Sequence, residues 1–291
     1  TKHHRPLRPC TGHVPHRSLE RSQATSFSGA VNACTKCYAP KFLYIVPKTT
    51  MYRILVIFLL ATGCSTAQNE IAEYSEHGVR FVRLDAGAVG QIQMVFKNEQ
   101  GERYRSLNLS STALEQGELL LFATNGGMFH VDRNPVGLFI EENEVRCELN
   151  TDEGSGNFFL KPNGVFAVSQ SGQAVVITSE QWLTENPTSI KFATQSGPML
   201  VMNSTIHPVF TEGSANKDIR SGVGVDQNGN VLFGLSEAPV NFHDFATAFL
   251  EEGCIDALYL DGAISLFHTP QRPEAGQFGV IIQVVAITNQ K

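Results

Sequence analysis

The sequence predicts an α+β fold: strand-rich, mixed sheets with a few packed helices, in a single catalytic-size domain over residues 74–291. Three observations predict it. Short apolar stretches of strand length recur through this region. Turn residues separate them, twice with Asn-Gly at the tip. Only one long segment carries an apolar stripe at helical spacing.

The elements follow in order. Residues 79–84 and 91–97 alternate apolar and polar side chains, the pattern of half-buried strands. Residues 119–123 are uniformly apolar, as in a central strand. Strands are expected at 136–140, 158–160 and 165–168, the last two flanking the tight connection Lys161-Pro162-Asn163-Gly164. Further strands are expected at 174–178 and 199–202. Residues 222–226 and 231–235 flank Gln227-Asn228-Gly229-Asn230 and read as a hairpin. A long strand over 278–288 closes the chain. The helix spans about 241–252, where Phe242, Phe245, Ala246, Phe249 and Leu250 share one face. Asn241 suits its N-cap, Asp244 its first turn and Gly253 its end. A shorter helix near 180–185 carries Trp182, the single tryptophan. The segment 256–267 joins a buried strand at 257–260 to Asp261-Gly262 and more apolar residues. Two readings compete there: a hairpin turn, or a carboxylate on a rigid strand tip with Gly262 giving a ligand access to the backbone.

The 291 residues carry a net charge of −6, with 42% hydrophobic and 17% charged. Residues 1–50 are strongly basic and the remainder is acidic, so no nucleic-acid partner is expected, since phosphate binding needs a basic patch. Those first 50 residues lack Met and periodicity and read as an unstructured extension. Cys34 and Cys37, with His3, His4, His13 and His16 upstream, match no standard zinc spacing. From Met51 the chain has a basic start, an apolar run over 54–60 and small residues before Cys64. That is the layout of a signal peptide at 51–63. The run is too short to span a bilayer, which takes about 20 residues. Cys64 after small residues resembles a lipidation site, although Leu60 stands one place further out than usual. Acylation would leave 64–73 as a tether and anchor the chain in a bacterial cell envelope as a periplasmic lipoprotein. The alternative is simple cleavage and secretion. Cys147 and Cys254 either pair in that oxidising compartment or remain buried thiols.

Four Gly-rich or polar stretches follow apolar runs. Asn125-Gly126-Gly127 at a strand end offers amides to an anion or sugar hydroxyl, or is a plain turn. Gln195 and Ser196 precede the strand at 199–202. Arg220 stands directly before a strand and presents a planar fork to phosphate or carboxylate, or makes a surface salt bridge. Glu237 ends the strand at 231–235. P-loop and G-x-S-x-G motifs are absent, as are metal-spaced His or Cys clusters after residue 64. No cofactor or metal is expected, and bound calcium stays open.

Several blocks together resemble the phosphodiester glycosidase family: Asn125-Gly-Gly-Met-Phe129, Pro135-Val-Gly-Leu138, Asn157-Phe-Phe-Leu-Lys-Pro-Asn-Gly-Val-Phe166, Gln195-Ser-Gly-Pro198, Arg220-Ser-Gly-Val-Gly224 and Tyr259-Leu-Asp-Gly-Ala-Ile-Ser265. The likeness runs over about 79–287 and is strongest to short bacterial envelope members. It departs at Asp261-Gly-Ala-Ile-Ser265, where another branch reads Asp-Gly-Gly-Gly-Ser. The resemblance implies an enzyme hydrolysing a sugar-1-phosphate diester at the anomeric carbon, with a phosphorylated sugar or glycan as its partner. Within it, Arg220 would hold the phosphate beside the 125–127 backbone. Asp261 would be nucleophile or base, with Glu237 or Glu141 as second carboxylate. Gln195, Ser196 and Ser265 would orient hydroxyls, and Gly262 would admit the substrate. Three rivals remain: a phosphodiesterase cutting P–O, a non-catalytic glycan-binding lipoprotein, and a structural envelope protein that would need no gathering of these polar residues.

Overall fold

The computed structural model describes residues 71–98, 101, 104, 114, 117–262, 265–274, 276 and 279–287. The extension, the signal segment, Cys64 and most of the expected tether lie outside these residues. Strand β1 (Ala72–Glu76) nonetheless begins within that tether and pairs with β2 (Val79–Leu84).

The described strands form three sheets. The seven-stranded sheet runs β1, β2, β13 (Val231–Ser236), β12 (Ser221–Asp226), β14 (Cys254–Asp261), β10 (Met199–Met202), β11 (Thr205–Ile206). A four-stranded sheet runs β15 (Phe267–His268), β4 (Glu118–Asn125), β16 (Ile281–Ile287), β3 (Ile92–Val95). A five-stranded sheet runs β6 (Glu144–Cys147), β5 (Phe139–Glu141), β9 (Ile190–Ser196), β7 (Gly164–Ser169), β8 (Ala174–Thr178). Every pairing among them is antiparallel, correcting the expectation of mixed sheets. Parallel pairs need long, usually helical crossovers, and the α-helices among the described residues are α1 (Ser179–Glu185) and α2 (Phe242–Glu251).

Side chains of period two send one face of each sheet into a common core. Val82, Val223, Phe233 and Leu258 enter from the seven-stranded sheet, Phe122 and Ile282 from the four-stranded, and Phe139, Phe166 and Phe192 from the five-stranded. The outer face of the largest sheet carries α2. Glycines there make a flat track for Phe249: a Cβ on Gly224 would lie 2.9 Å from its Cδ1, and one on Gly234 2.7 Å from its Cζ. Asn241 caps this helix, its side chain accepting from the Asp244 N–H at 2.8 Å. The outer face of the five-stranded sheet carries α1, started by a Thr178/Gln181 capping box. Trp182 packs there with Leu138, Val165 and Ala193.

Three local expectations change. Residues 157–159 form a 3-10 turn rather than a strand. Asp261-Gly262 is no hairpin: β15 pairs with β4, so the chain leaving β14 crosses to another sheet. The Gly262 N–H instead donates to the Asp261 carboxylate at 2.6 Å. Cys147 and Cys254 do not pair with each other, because Cys147 is disulfide-bonded while Cys254 is a free, buried thiol. Burial pushes that thiol up to about 12, which leaves it protonated and inert.

Candidate active site

The ends of β4, β9, β12 and β14 meet. Ser221, the first residue of β12, lies opposite Asp261, the last of β14. A register shift follows, since Gly222 faces Tyr259 and Leu260 is left as a bulge. The Ser221 hydroxyl accepts from the Asp261 N–H at 3.3 Å and sits 3.0 Å from its carbonyl. It also lies 2.7 Å from the Ser265 hydroxyl. From β9, Ser196 donates to the Leu260 carbonyl at 2.6 Å. Three hydroxyls thus fix the tip of β14. The Asp261 carboxyl is partly exposed. Burial raises its proton affinity and the Gly262 N–H opposes this; no cation holds it down.

Arg220 is buried, at 1% exposure. Its Nε donates to the Val240 carbonyl at 2.7 Å and one terminal nitrogen to Asn216 at 3.2 Å. Its Cζ lies 3.6 Å from the Phe242 ring centroid, a close cation–π contact. Phe242 stacks on Phe210 at 4.9 Å, and Phe210 on His207 at 4.8 Å. His207 accepts from the Val209 N–H through Nδ1, which leaves Nε2 to donate to the Lys161 carbonyl. Among the described residues Arg220 has no carboxylate within ion-pair distance, whereas Arg80 and Arg83 pair with Glu274 and Asp226. Burial lowers the Arg220 pKa; nearby Tyr259 and Asp218 oppose this. The Tyr259 phenol lies beside Arg220, its ring centroid 5.8 Å from the Arg220 Cζ. Burial and then the Asp261 charge keep the phenol protonated.

The remaining candidates lie elsewhere or are occupied. The Gly126 N–H donates to Val280 O at 2.8 Å and the Gly127 N–H to Thr194 Oγ1 at 3.1 Å, so neither amide is free to seat an anion. A Cβ on Gly127 would overlap the Gln195 carbonyl, which explains this glycine by packing. Asn125 is buried, and among the described residues its side chain bonds to its neighbours Thr124 and Gly126 alone. The Gln195 amide is saturated: its oxygen accepts from Leu138 and Asn150, and its nitrogen donates to Asn150 and Ser179. Gly262 makes room for Tyr259, whose hydroxyl a Cβ there would overlap. Glu237 is exposed and accepts from Ser75 at 2.8 Å, towards the β1 edge. Glu141 accepts from the Phe96 N–H and Arg146. Its neighbour Ile140 pairs with Ala193, so Glu141 stands level with Phe192, four residues up β9 from Ser196 and roughly 13 Å away along the sheet. Burial raises the Glu141 pKa and Arg146 opposes this. Sequence reasoning gave no role to Tyr259, Asn157 or Ser221. All three stand inside the motif blocks, but only the fold brings Tyr259 beside Arg220 and Ser221 onto the Asp261 backbone. No group of three His, Cys, Asp or Glu among the described residues is placed to hold a metal ion.

Antiparallel sheets around one core, with a carboxylate at the end of β14 and a buried guanidinium just before β12, define a strand-rich antiparallel domain. Residues 120–266 match the family model for phosphodiester glycosidases. An uncharacterized Escherichia coli K12 protein, YigE, is 37% identical over 177 residues, covering 60% of this chain and 68% of its own. The chain belongs to the phosphodiester glycosidase family. Its fold is similar to the catalytic domain of zebrafish N-acetylglucosamine-1-phosphodiester alpha-N-acetylglucosaminidase, solved auto-inhibited by its pro-peptide: TM-score 0.51, 14% identity, 74% of this chain and 81% of that one.

Proposed function

We propose that this chain hydrolyses a sugar-1-phosphate diester at the anomeric carbon. The observation that carries the reading is a buried guanidinium with no carboxylate partner among the described residues, one residue before the strand position that pairs with Asp261. A buried charge without a counter-ion is costly, and a bound phosphate supplies one. A phosphate leaves as a stable anion, so it needs little help from a general acid. One carboxylate is then sufficient. Asp261 takes a proton from water as the water oxygen bonds to the anomeric carbon. The bond from that carbon to the phosphate oxygen breaks, and its electron pair leaves with the phosphate monoester. Glu237 and Glu141, turned to Ser75 and Arg146, have no part in this scheme.

The test uses the full chain, an ester of N-acetylglucosamine 1-phosphate and heavy-oxygen water. Label in the sugar supports the reading. Label in the phosphate means P–O cleavage, and no turnover of this ester class favours a binding protein. Asp261→Asn is expected to lower turnover about 100-fold or more, the usual contribution of a general base.

A further inference from the structure

We infer that Tyr259 is the positioning residue of this site: its ring and hydroxyl stand between Arg220 and the Asp261–Gly262 turn and keep guanidinium and carboxylate from pairing. The inference deepens the sugar-phosphate reading and depends on it only for the anion's identity.

Register sets the problem. Ser221 pairs with Asp261, so Arg220 is one residue from direct opposition to that acid. Strand neighbours are about 5 Å apart, and an arginine side chain can span more than that. An uncompensated arginine beside a partly buried acid is expected to form an ion pair. Here it does not. Arg220 turns to the Val240 and Asn216 carbonyls, and only the Gly262 N–H lowers the Asp261 pKa.

Tyr259 occupies the space between. Its ring centroid is 5.8 Å from the Arg220 Cζ. Its hydroxyl fills the position a Gly262 Cβ would take, next to the Ile219 carbonyl. Phe242 braces the ring edge-on at 5.0 Å. The phenol is neutral, so it separates the charges without cancelling either. The charged groups that act on the phenol are Asp261, Arg220 and Asp218; the Asp261 carboxylate itself meets the Gly262 N–H, and its backbone meets the Ser221 hydroxyl, which Ser265 joins. The outcome is a site holding separate positive and negative poles. An anionic substrate engages the first, and its attacking water the second.

The decisive measurement is the titration of Asp261, followed by carboxyl carbon NMR and assigned with Asp261→Asn. Two variants remove the spacer independently. Tyr259→Leu keeps apolar packing on Phe242. Gly262→Ala displaces the hydroxyl without touching the core. Each is expected to let Arg220 reach the acid and lower its titration midpoint by about 1–3 pH units, the effect of an opposite charge within 4–6 Å. Tyr259→Phe keeps the ring and is expected to shift it less than Tyr259→Leu. Adding Arg220→Met to either spacer variant should cancel the drop. An unchanged Asp261 midpoint in both spacer variants overturns the inference, as does a drop that persists with Arg220→Met. Inorganic phosphate is titrated separately against the wild-type melting temperature. A missing phosphate response counts against the phosphodiester reading and leaves the spacer result standing.

Discussion

Replacing Gln195 by leucine separates a staple from a substrate contact. The Gln195 side chain is 1% exposed and makes four hydrogen bonds of 2.8–3.0 Å. They join β9 to the start of β5, to Asn150 and to α1. Leucine preserves bulk and removes all four. Leu138 and Ser179 are themselves buried, at 3% and 2%, so the Leu138 N–H and the Ser179 hydroxyl lose their partner out of reach of water. An orphaned buried group costs about 1–3 kcal/mol. Asn150 is only half-buried and its two groups can turn to solvent. The expected loss is therefore about 3–4 kcal/mol, towards the middle of the range for two such groups. That is a large share of the roughly 5–15 kcal/mol that holds a domain folded. Urea unfolding followed by tryptophan fluorescence suits the case, because the single Trp182 packs in the same cluster as Leu138. KM, measured where the variant is folded, is expected to stay within about twofold of wild type. The reasoning is refuted by a loss under about 1 kcal/mol together with a clear rise in KM; Gln195 would then be holding substrate.

Two further outcomes concern carboxylates. Asp261 binds its proton more tightly in the folded chain, so its ionisation opposes folding above its folded pKa, and stability recovers as pH falls through that value. Asp261→Asn should thus melt higher than wild type at pH 7, with the two melting temperatures converging under acid; a lower melting temperature for the variant at pH 7 would contradict this. Asp226 runs the other way. Burial raises its pKa, but the Asn230 side chain and the Asn228 and Asn230 N–H groups outweigh this, helped by Arg83, and leave it lowered. It stabilises the β12–β13 hairpin above the ordinary carboxylate range, and that contribution fades as pH drops through its folded pKa. Asp226→Asn is expected to cost about 2 kcal/mol at pH 7, with the gap to wild type narrowing towards pH 3; a gap that does not narrow would exclude this carboxylate as its source.

The chain wrote some of this plainly. Phe242, Phe245 and Phe249 fall on one helical face, and Asn241 and Gly253 bound that helix as cap chemistry requires. Alternation marked β2, and the Asn228-Gly229 turn marked the β12–β13 hairpin. Strand β9 was hidden because its buried end is Thr194-Gln195-Ser196. Those polar side chains face inward to bond neighbouring segments, and a hydrophobic pattern cannot register them. Residues 157–159 looked like a strand because two phenylalanines adjoin; the pair instead packs edge to face within one turn, at 5.1 Å. At the site, Arg220, Asp261, Ser196 and Ser265 were legible as polar residues at the ends of apolar runs, and the fold gathers them. The glycine pair at 126–127 looked the same but serves the approach of β4 to β9. Nothing in the local sequence separates an amide that awaits a ligand from one already claimed by a strand 67 residues away.

The flat column of His207, Phe210 and Phe242 ends on the arginine of the cleft and begins in a turn where Val209 faces solvent. The tilt of the cation therefore depends on what that turn contributes. A non-planar residue at 210 would let Phe242 drop and take the charge with it, so a change beside the solvent-facing Val209 is felt at the buried guanidinium through three stacked rings.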